Sequence, residues 1–273
     1  TFNLSFDDTG YEIKKGEPKR IVSLSPSNTE ILFAIGAGDR VIGVTDYCDY
    51  PPEVLEKLRK GEIQKVGGYV NFDLEKVLAL KPDLVVSGYG NDLEAIETLR
   101  KYTKVIAFNP KNIKEIERTI LAIGKAVGNY ENAEKIVSEM EKRISEIKAK
   151  EKSGKKVAHI ISNDPIYASG KETFIDEAIT IAGGMNVFNF SGWRIVSVED
   201  LIRANPEVIV VSSGSGMSGG RDVVYEWVIS DKRLKNVEAV KNGKVFVIDA
   251  DIISRPGPRI VKALEQVYEF INS

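Results

Sequence analysis

One cysteine and one histidine are all that the 273 residues hold of the side chains most used for disulfides, transition-metal sites and acid–base catalysis. With Cys48 as the single cysteine, no internal disulfide and no cysteine-based zinc site can form. With His159 as the single histidine, a triple-histidine metal site is excluded, and little room is left for histidine-dependent proton transfer. A charge excess of either sign is also missing: 38 Lys+Arg stand against 40 Asp+Glu, a formal net charge of -2. A general nucleic-acid binder would carry a basic excess, so that class is set aside. No run approaches about 18 consecutive apolar residues, and no membrane-spanning helix is expected. What is present is the balance of a folded soluble chain, 42% hydrophobic and 29% charged, which argues against long-range disorder. At roughly 100 to 200 residues per domain, the length fits one large domain or two modest ones. The chain opens at Thr1 without a signal segment, a start compatible with a cytosolic protein or a trimmed mature one.

The order of patterns points to two α/β halves. Residues 1–18 alternate around Asp7-Asp-Thr-Gly10 and predict a β-hairpin. Short apolar runs then alternate with helical patterns: Arg20-Ile-Val-Ser-Leu-Ser-Pro26, Val41-Ile-Gly-Val44, Leu84-Val-Val-Ser87, Val105-Ile-Ala-Phe108, Val157-Ala-His-Ile-Ile161, Val208-Ile-Val-Val211 and Val245-Phe-Val-Ile248. This is the βαβ signature of a mostly parallel sheet covered by helices. Ser27 or Asn28 is the expected N-cap of the first helix. Residues 130–153 read as one charged helix with Ala133, Ile136, Val137, Met140, Ile144 and Ile147 on one stripe. At 1.5 Å per residue its length would be about 36 Å. The expected division is an N-terminal lobe over 1–128, a connecting helix over 129–154 and a C-terminal lobe over 155–273. The halves also echo each other. Glu75 lies seven residues before Pro82, and Glu199 seven before Pro206; each proline is followed by an acid and an apolar strand.

Two catalytic motifs fall in one late loop. Gly214-Ser-Gly-Met-Ser-Gly219 fits the dinucleotide fingerprint, which keeps an NAD-dependent enzyme as the reading from a different class. The loop is not in a first βαβ unit, however, and the acid expected about 20 residues on has no clear strand-end context. Gly216-Met-Ser-Gly-Gly220 fits a nucleophile elbow, but the one histidine precedes it in an apolar strand. His159 reads as a satisfied core residue. The acids Asp46, Asp49, Asp249 and Asp251 fit no defined cation loop. The more informative set is aromatic: Tyr47, Tyr50, Tyr69, Tyr89, Tyr167 and Trp193 are expected in loops after strands, where open α/β sheets bind ligands. Such a set suits a flat, bulky, partly apolar ligand.

Several spaced motifs then carry a resemblance: Arg20-Ile-Val-Ser-Leu-Ser-Pro-Ser-Asn-Thr-Glu30, Asp46-Tyr-Cys-Asp-Tyr-Pro-Pro52, Leu80-Lys-Pro-Asp-Leu-Val86, Tyr167-Ala-Ser-Gly-Lys171, Ala182-Gly-Gly-Met-Asn-Val-Phe188 and Ser254-Arg-Pro-Gly-Pro-Arg-Ile260. Over residues 19–271 the chain resembles the substrate-binding proteins of cobalamin and iron-siderophore ABC importers, most of all the cobalamin-binding branch. The resemblance implies two Rossmann-like lobes with mostly parallel central sheets, joined by a single long helix, and no enzymatic activity. It places corrinoid contacts at Tyr47, Tyr69, Tyr167 and Trp193 and rim contacts at Asp251 and Arg255; Tyr89 joins the ligand-binding candidates from its place after the Leu84–Ser87 strand. Glu75 and Glu199 would dock on arginines of a permease–ATPase complex. The implied protein is an extracytoplasmic monomer with no cofactor or metal of its own, the corrinoid or other metal chelate being cargo. The chain departs from the branch where Tyr69 replaces a tryptophan and a glycine, taken as Gly88, replaces another. A wider pocket, a ferric siderophore or haem therefore stays open as the ligand. Tyr47 and Tyr69 could supply an axial phenolate to haem.

Overall fold

The computed structural model describes residues 1–88, 90–212 and 222–273; Tyr89 and the glycine-rich motifs at 214–220 lie outside the described residues. The chain divides into two compact units, Thr1–Glu139 and Met140–Ser273.

Unit 1 holds strands β1 (Ile21–Ser23), β2 (Val41–Val44), β3 (Gln64–Lys65), β4 (Leu84–Gly88) and β5 (Val105–Phe108). They form a five-stranded sheet in the order β3-β2-β1-β4-β5, with every neighbouring pair parallel. Helices α1 (Pro26–Ala34), α2 (Pro52–Arg59), α3 (Leu74–Ala79), α4 (Leu93–Leu99) and α5 (Ile113–Val127) follow the strands in turn. Ile21, Val22, Val85, Val86 and Val105 are buried, because a parallel sheet is covered on both faces and writes continuous β-branched runs. Helix α5 starts at the Asn112 cap and stops at Gly128, whose φ of +82° suits a glycine C-cap. The order reverses between β1 and β4, so the crevice at their carboxyl ends is the switch point of this sheet.

Unit 2 holds β6 (Lys156–Asn163), β7 (Ile166–Ser169), β8 (Met185–Asn186), β9 (Trp193–Ile195), β10 (Val208–Val211) and β11 (Val245–Val247). Their order is β11-β10-β6-β7-β9, with β8 paired to β6. β6, β10 and β11 run parallel, whereas β7 is antiparallel to both β6 and β9. The helices are α7 (Phe174–Ile181), α8 (Val198–Ala204), α9 (Val223–Ser230), α10 (Glu238–Lys241), α11 (Ala250–Ser254) and α12 (Ile260–Asn272). Between α5 and α7 in the chain, helix α6 (Tyr130–Lys148) carries the boundary of the two units.

Four expectations are corrected. The N-terminal hairpin reduces to one bridge, Phe6 with Glu12. Asp7 turns inward: its carboxylate accepts from the Thr9, Tyr11 and Ala107 amides and pairs with Arg100 at 3.1 Å. Those side-chain bonds hold the segment together with two backbone bonds across the turn, from the Asp7 amide to the Tyr11 carbonyl at 2.8 Å and from the Ile13 amide to the Ser5 carbonyl at 2.9 Å. The first helix begins at Pro26 with Ser25 as its cap, two residues before the expected start, because proline suits the first helical position. The helix expected over 130–153 ends at Lys148, one residue after its last apolar anchor, Ile147. Tyr167 and Trp193 lie in strands β7 and β9, not in loops.

Candidate functional site

The carboxyl ends of the unit 1 strands form an interlocked rim. After β2 the chain turns so that Cys48 points inward: Thr29 donates to its sulfur at 3.2 Å, and the Thr45 hydroxyl lies 3.1 Å from it. That inward anchor leaves the neighbouring Tyr47 63% exposed. The Asp46 amide donates to the Gly67 carbonyl at 2.9 Å, which ties this turn to the loop bearing Tyr69 and the exposed Val70. The loop after β4 sits against the start of α1: a Cβ on Gly88 would lie 2.5 Å from the Ser25 Cβ. Only glycine lets the two backbones approach this closely.

The rim of unit 2 is built on strands. Tyr167 pairs with Ile195 and Ser169 with Trp193. Side chains two residues apart share a sheet face, so Tyr167, Trp193 and Ile195 stand together on one side. They are 39%, 57% and 60% exposed, a contiguous aromatic and aliphatic strip at the sheet edge. Beneath it lies a buried polar row: His159 contacts Ser169 through Nδ1 and Ser212 through Nε2. Burial pushes the His159 pKa down to about 3, so the imidazole is neutral at ordinary pH. On the other strand face the Arg194 guanidinium lies over the Phe190 ring at 5.5 Å.

Asp251 and Arg255 belong to the short helix α11 and its C-cap, not to a loop, and pair at 3.7 Å. The carboxylate of Asp251 is the more exposed partner, so the pair presents an acid at the surface with the guanidinium set below it. Glu75 and Glu199 occupy the same position in α3 and α8, the second residue after an N-cap whose side chain accepts from the third amide. Both are exposed. The match continues to the helix ends, where Lys81 and Asn205 take left-handed φ values of 51° and 44° just before Pro82 and Pro206. The internal echo is thus carried by backbone geometry as well as by residue type.

The structure brings Tyr167 and Trp193 together within unit 2, and Tyr47 and Tyr69 onto one rim within unit 1. Tyr89 lies outside the described residues. Sequence reading does not single out Ile195, although its period-2 spacing from Trp193 could have found it. Nor does it single out Asn91, for which residue type alone carries no signal. A cavity of about 410 Å³ in unit 1 lies at the opposite, amino ends of the strands, lined by Tyr11, Glu12, Asp83 and Lys104 among others, and contains none of the candidate residues.

Comparison with known proteins gives the family and the fold. Residues 21–252 match the family model of the periplasmic binding proteins. The chain is 34% identical to an uncharacterised ABC transporter substrate-binding lipoprotein of Bacillus subtilis, with 99% of this chain and 86% of that protein covered. It is 30% identical to the vitamin B12-binding protein of Vibrio cholerae, covering 93% of this chain and 89% of the relative. Among solved structures, a possible iron-binding periplasmic solute-binding protein from Staphylococcus epidermidis superimposes with a TM-score of 0.80 at 30% identity, covering 94% of this chain and all of that one.

Proposed function

The chain belongs to the periplasmic binding protein family, the substrate-binding proteins of ABC importers, and we propose that its ligand is cobalamin or a related corrinoid. The observation that carries this reading is the exposed strip of Tyr167, Trp193 and Ile195, a broad apolar surface with no buried function of its own. A corrin ring offers flat apolar faces and a rim of uncharged amides, and aromatic side chains meet such a face with large contact area at low entropic cost. Tyr47 and Tyr69 supply the matching aromatics of unit 1.

Charge favours a corrinoid over the other ligands of the family. The rim segments 24–34, 45–51, 66–73 and 88–93 contain no lysine or arginine, while Asp46, Asp49, Asp73 and Asp92 lie within them. On the unit 1 rim a haem bearing two propionates, or an anionic ferric siderophore, would meet acids and no lysine or arginine of these segments; Arg255 belongs to unit 2. Uncharged amides donate to carboxylates, and donate to or accept from phenols, without that penalty. Asp251 and Arg255 give unit 2 a polar pair for the ligand periphery.

In this reading the protein works outside the cytoplasmic membrane as a monomer, performs no chemistry, holds no cofactor of its own and passes its cargo to a permease–ATPase complex. Residues 1–128 and 155–273 act as its lobes, with the segment 129–154 between them. Glu75 and Glu199 are the docking carboxylates. The test is direct: mix the protein with excess cyanocobalamin, with cobinamide in parallel, desalt, and record the visible spectrum. A stoichiometric corrinoid spectrum that stays with the protein is expected. A colourless protein that is thermally stabilised by a ferric siderophore or haem would overturn the ligand assignment, and stabilisation by NAD alone would overturn the class.

A further inference from the structure

We propose that Asn91 is a positioning residue: it fills the switch-point crevice of unit 1 and sets the height of the Tyr69 ring, without touching the ligand. The inference rests on the reading that Tyr69 is a contact for the corrinoid. Asn91 is only 8% exposed, and its amide uses every hydrogen-bonding capacity it has. Its oxygen accepts from the Ser87 hydroxyl at 2.7 Å and from the Gly88 amide at 2.8 Å. Its nitrogen donates to the Leu24 carbonyl at 3.0 Å and to the Tyr69 carbonyl. One side chain therefore joins the segment after β1, the segment after β4 and the loop before α3.

The crevice between β1 and β4 is where an open α/β sheet ordinarily admits a ligand. Here it is closed. Asn91 occupies it, Gly88 packs on Ser25, and Asn28 donates across it to the Ser87 carbonyl at 2.9 Å. A ligand is thus held on top of the rim, not within the sheet, and the rim must be firm to bind it. The same loop seats the Tyr69 ring: Gly90 has a φ of +96°, and a Cβ there would lie 2.7 Å from Cε1 of Tyr69. Tyr69 is fixed twice, its carbonyl by Asn91 and its ring against the bare Gly90.

The residue type is dictated by this role. Aspartate would offer acceptors to two carbonyls that need donors, and leucine would satisfy none of the four groups. Preorganised contact surface raises affinity by reducing what must be ordered on binding, so loosening Tyr69 should weaken binding without removing any ligand contact.

The experiment combines hydrogen exchange with a double-mutant cycle. In Asn91→Asp, amide exchange over residues 66–73 of the ligand-free protein should accelerate at least tenfold, and the Kd for cyanocobalamin should rise about tenfold. In a Tyr69→Ala background the same Asn91→Asp change should leave Kd within about twofold, because the ring it positions is already gone. A merely structural role would give the same penalty in both backgrounds, and that result would overturn the proposal. If Asn91→Asp does not fold, Gly90→Ala leaves Asn91 in place and displaces the ring; an unchanged Kd there also overturns it. Should the wild-type protein retain no corrinoid, the functional reading falls separately, and hydrogen exchange decides alone: unchanged protection over 66–73 in either variant refutes the positioning role.

Discussion

The Nδ1 atom of His159 lies 2.7 Å from the hydroxyl of Ser169, the residue that pairs across the sheet with Trp193. Through Nε2 the same ring reaches Ser212 at 2.6 Å, just after β10. A neutral imidazole has one donor and one acceptor, so it can satisfy both hydroxyls at once; a protonated ring would offer two donors in a fully buried site. The row braces β7, which meets β6 through a shifted register between Ile160 and Ser162.

A pH dependence follows, and its sign is fixed. The His159 pKa falls from 6.5 to about 3 on burial, so between those values the unfolded chain holds a proton that the folded protein does not. Stability from this group is complete above about pH 6.5 and is lost as pH falls towards 3. At pH 4.5 the loss relative to pH 7.5 should be about 2 to 3 kcal/mol, at about 1.4 kcal/mol per pH unit. Urea unfolding of wild type and His159→Gln at the two pH values checks this. The carboxylates titrate alike in both proteins, so the wild type should lose more; parallel losses would refute a neutral buried imidazole.

Trp193 should separate binding from folding. It is 57% exposed, so Trp193→Ala should change unfolding free energy by less than about 0.5 kcal/mol. An aromatic at the centre of a contact surface commonly carries much of the affinity, so the Kd for cyanocobalamin should rise roughly 10- to 100-fold. Isothermal titration and urea unfolding of the one variant measure both; a wild-type Kd would remove the strip from the binding surface.

Gly170 tests the packing behind that strip. It follows β7, donates to the Gly192 carbonyl at 2.7 Å, and a Cβ on it would lie 2.0 Å from the Phe190 carbonyl oxygen. Backbone cannot yield as a side-chain end can, so Gly170→Ala should cost about 2 to 4 kcal/mol. Gly192 provides the contrast: its φ is +73°, but nothing lies within 4 Å of its missing Cβ. Gly192→Ala should cost only about 1 kcal/mol, from the backbone conformation alone. Equal losses in chemical denaturation would contradict the assigned clash.

The parallel strands were readable because burial on both faces leaves unbroken runs such as Val208–Val211. The repeat was readable because helix, left-handed turn, proline and strand each restrict residue choice. Strand β9 is hard to read as a strand: Trp193 and Ile195 alternate around Arg194, but three exposed residues are too short a run to mark a strand. The sequence overruns the helix end because Ala149, Lys150, Glu151 and Lys152 are good helix formers, and only the loss of apolar anchors stops the helix at Lys148. The rim aromatics stand out by type, whereas Asn91 reaches the Leu24 and Tyr69 carbonyls and His159 the Ser212 hydroxyl, partners distant in the chain that a single sequence does not pair.

Glu75 and Glu199 pose the last test. Each could serve only its own helix, since an acid in the first turn complements the helix dipole by about 0.3 to 1 kcal/mol. That explanation does not require the two helices to match, yet they share the cap geometry, the glutamate position and the left-handed residue before proline. Equivalent exposed carboxylates suit a partner with two related basic sites. The double variant Glu75→Ala, Glu199→Ala should therefore lose no more than about 2 kcal/mol of stability. It should bind cyanocobalamin as the wild type does, and fail to support uptake through the cognate permease in proteoliposomes. Each single variant should be impaired less than the pair. Full uptake by the double variant would return both residues to a helix-capping role, and loss of ligand binding would show that they act on the site itself.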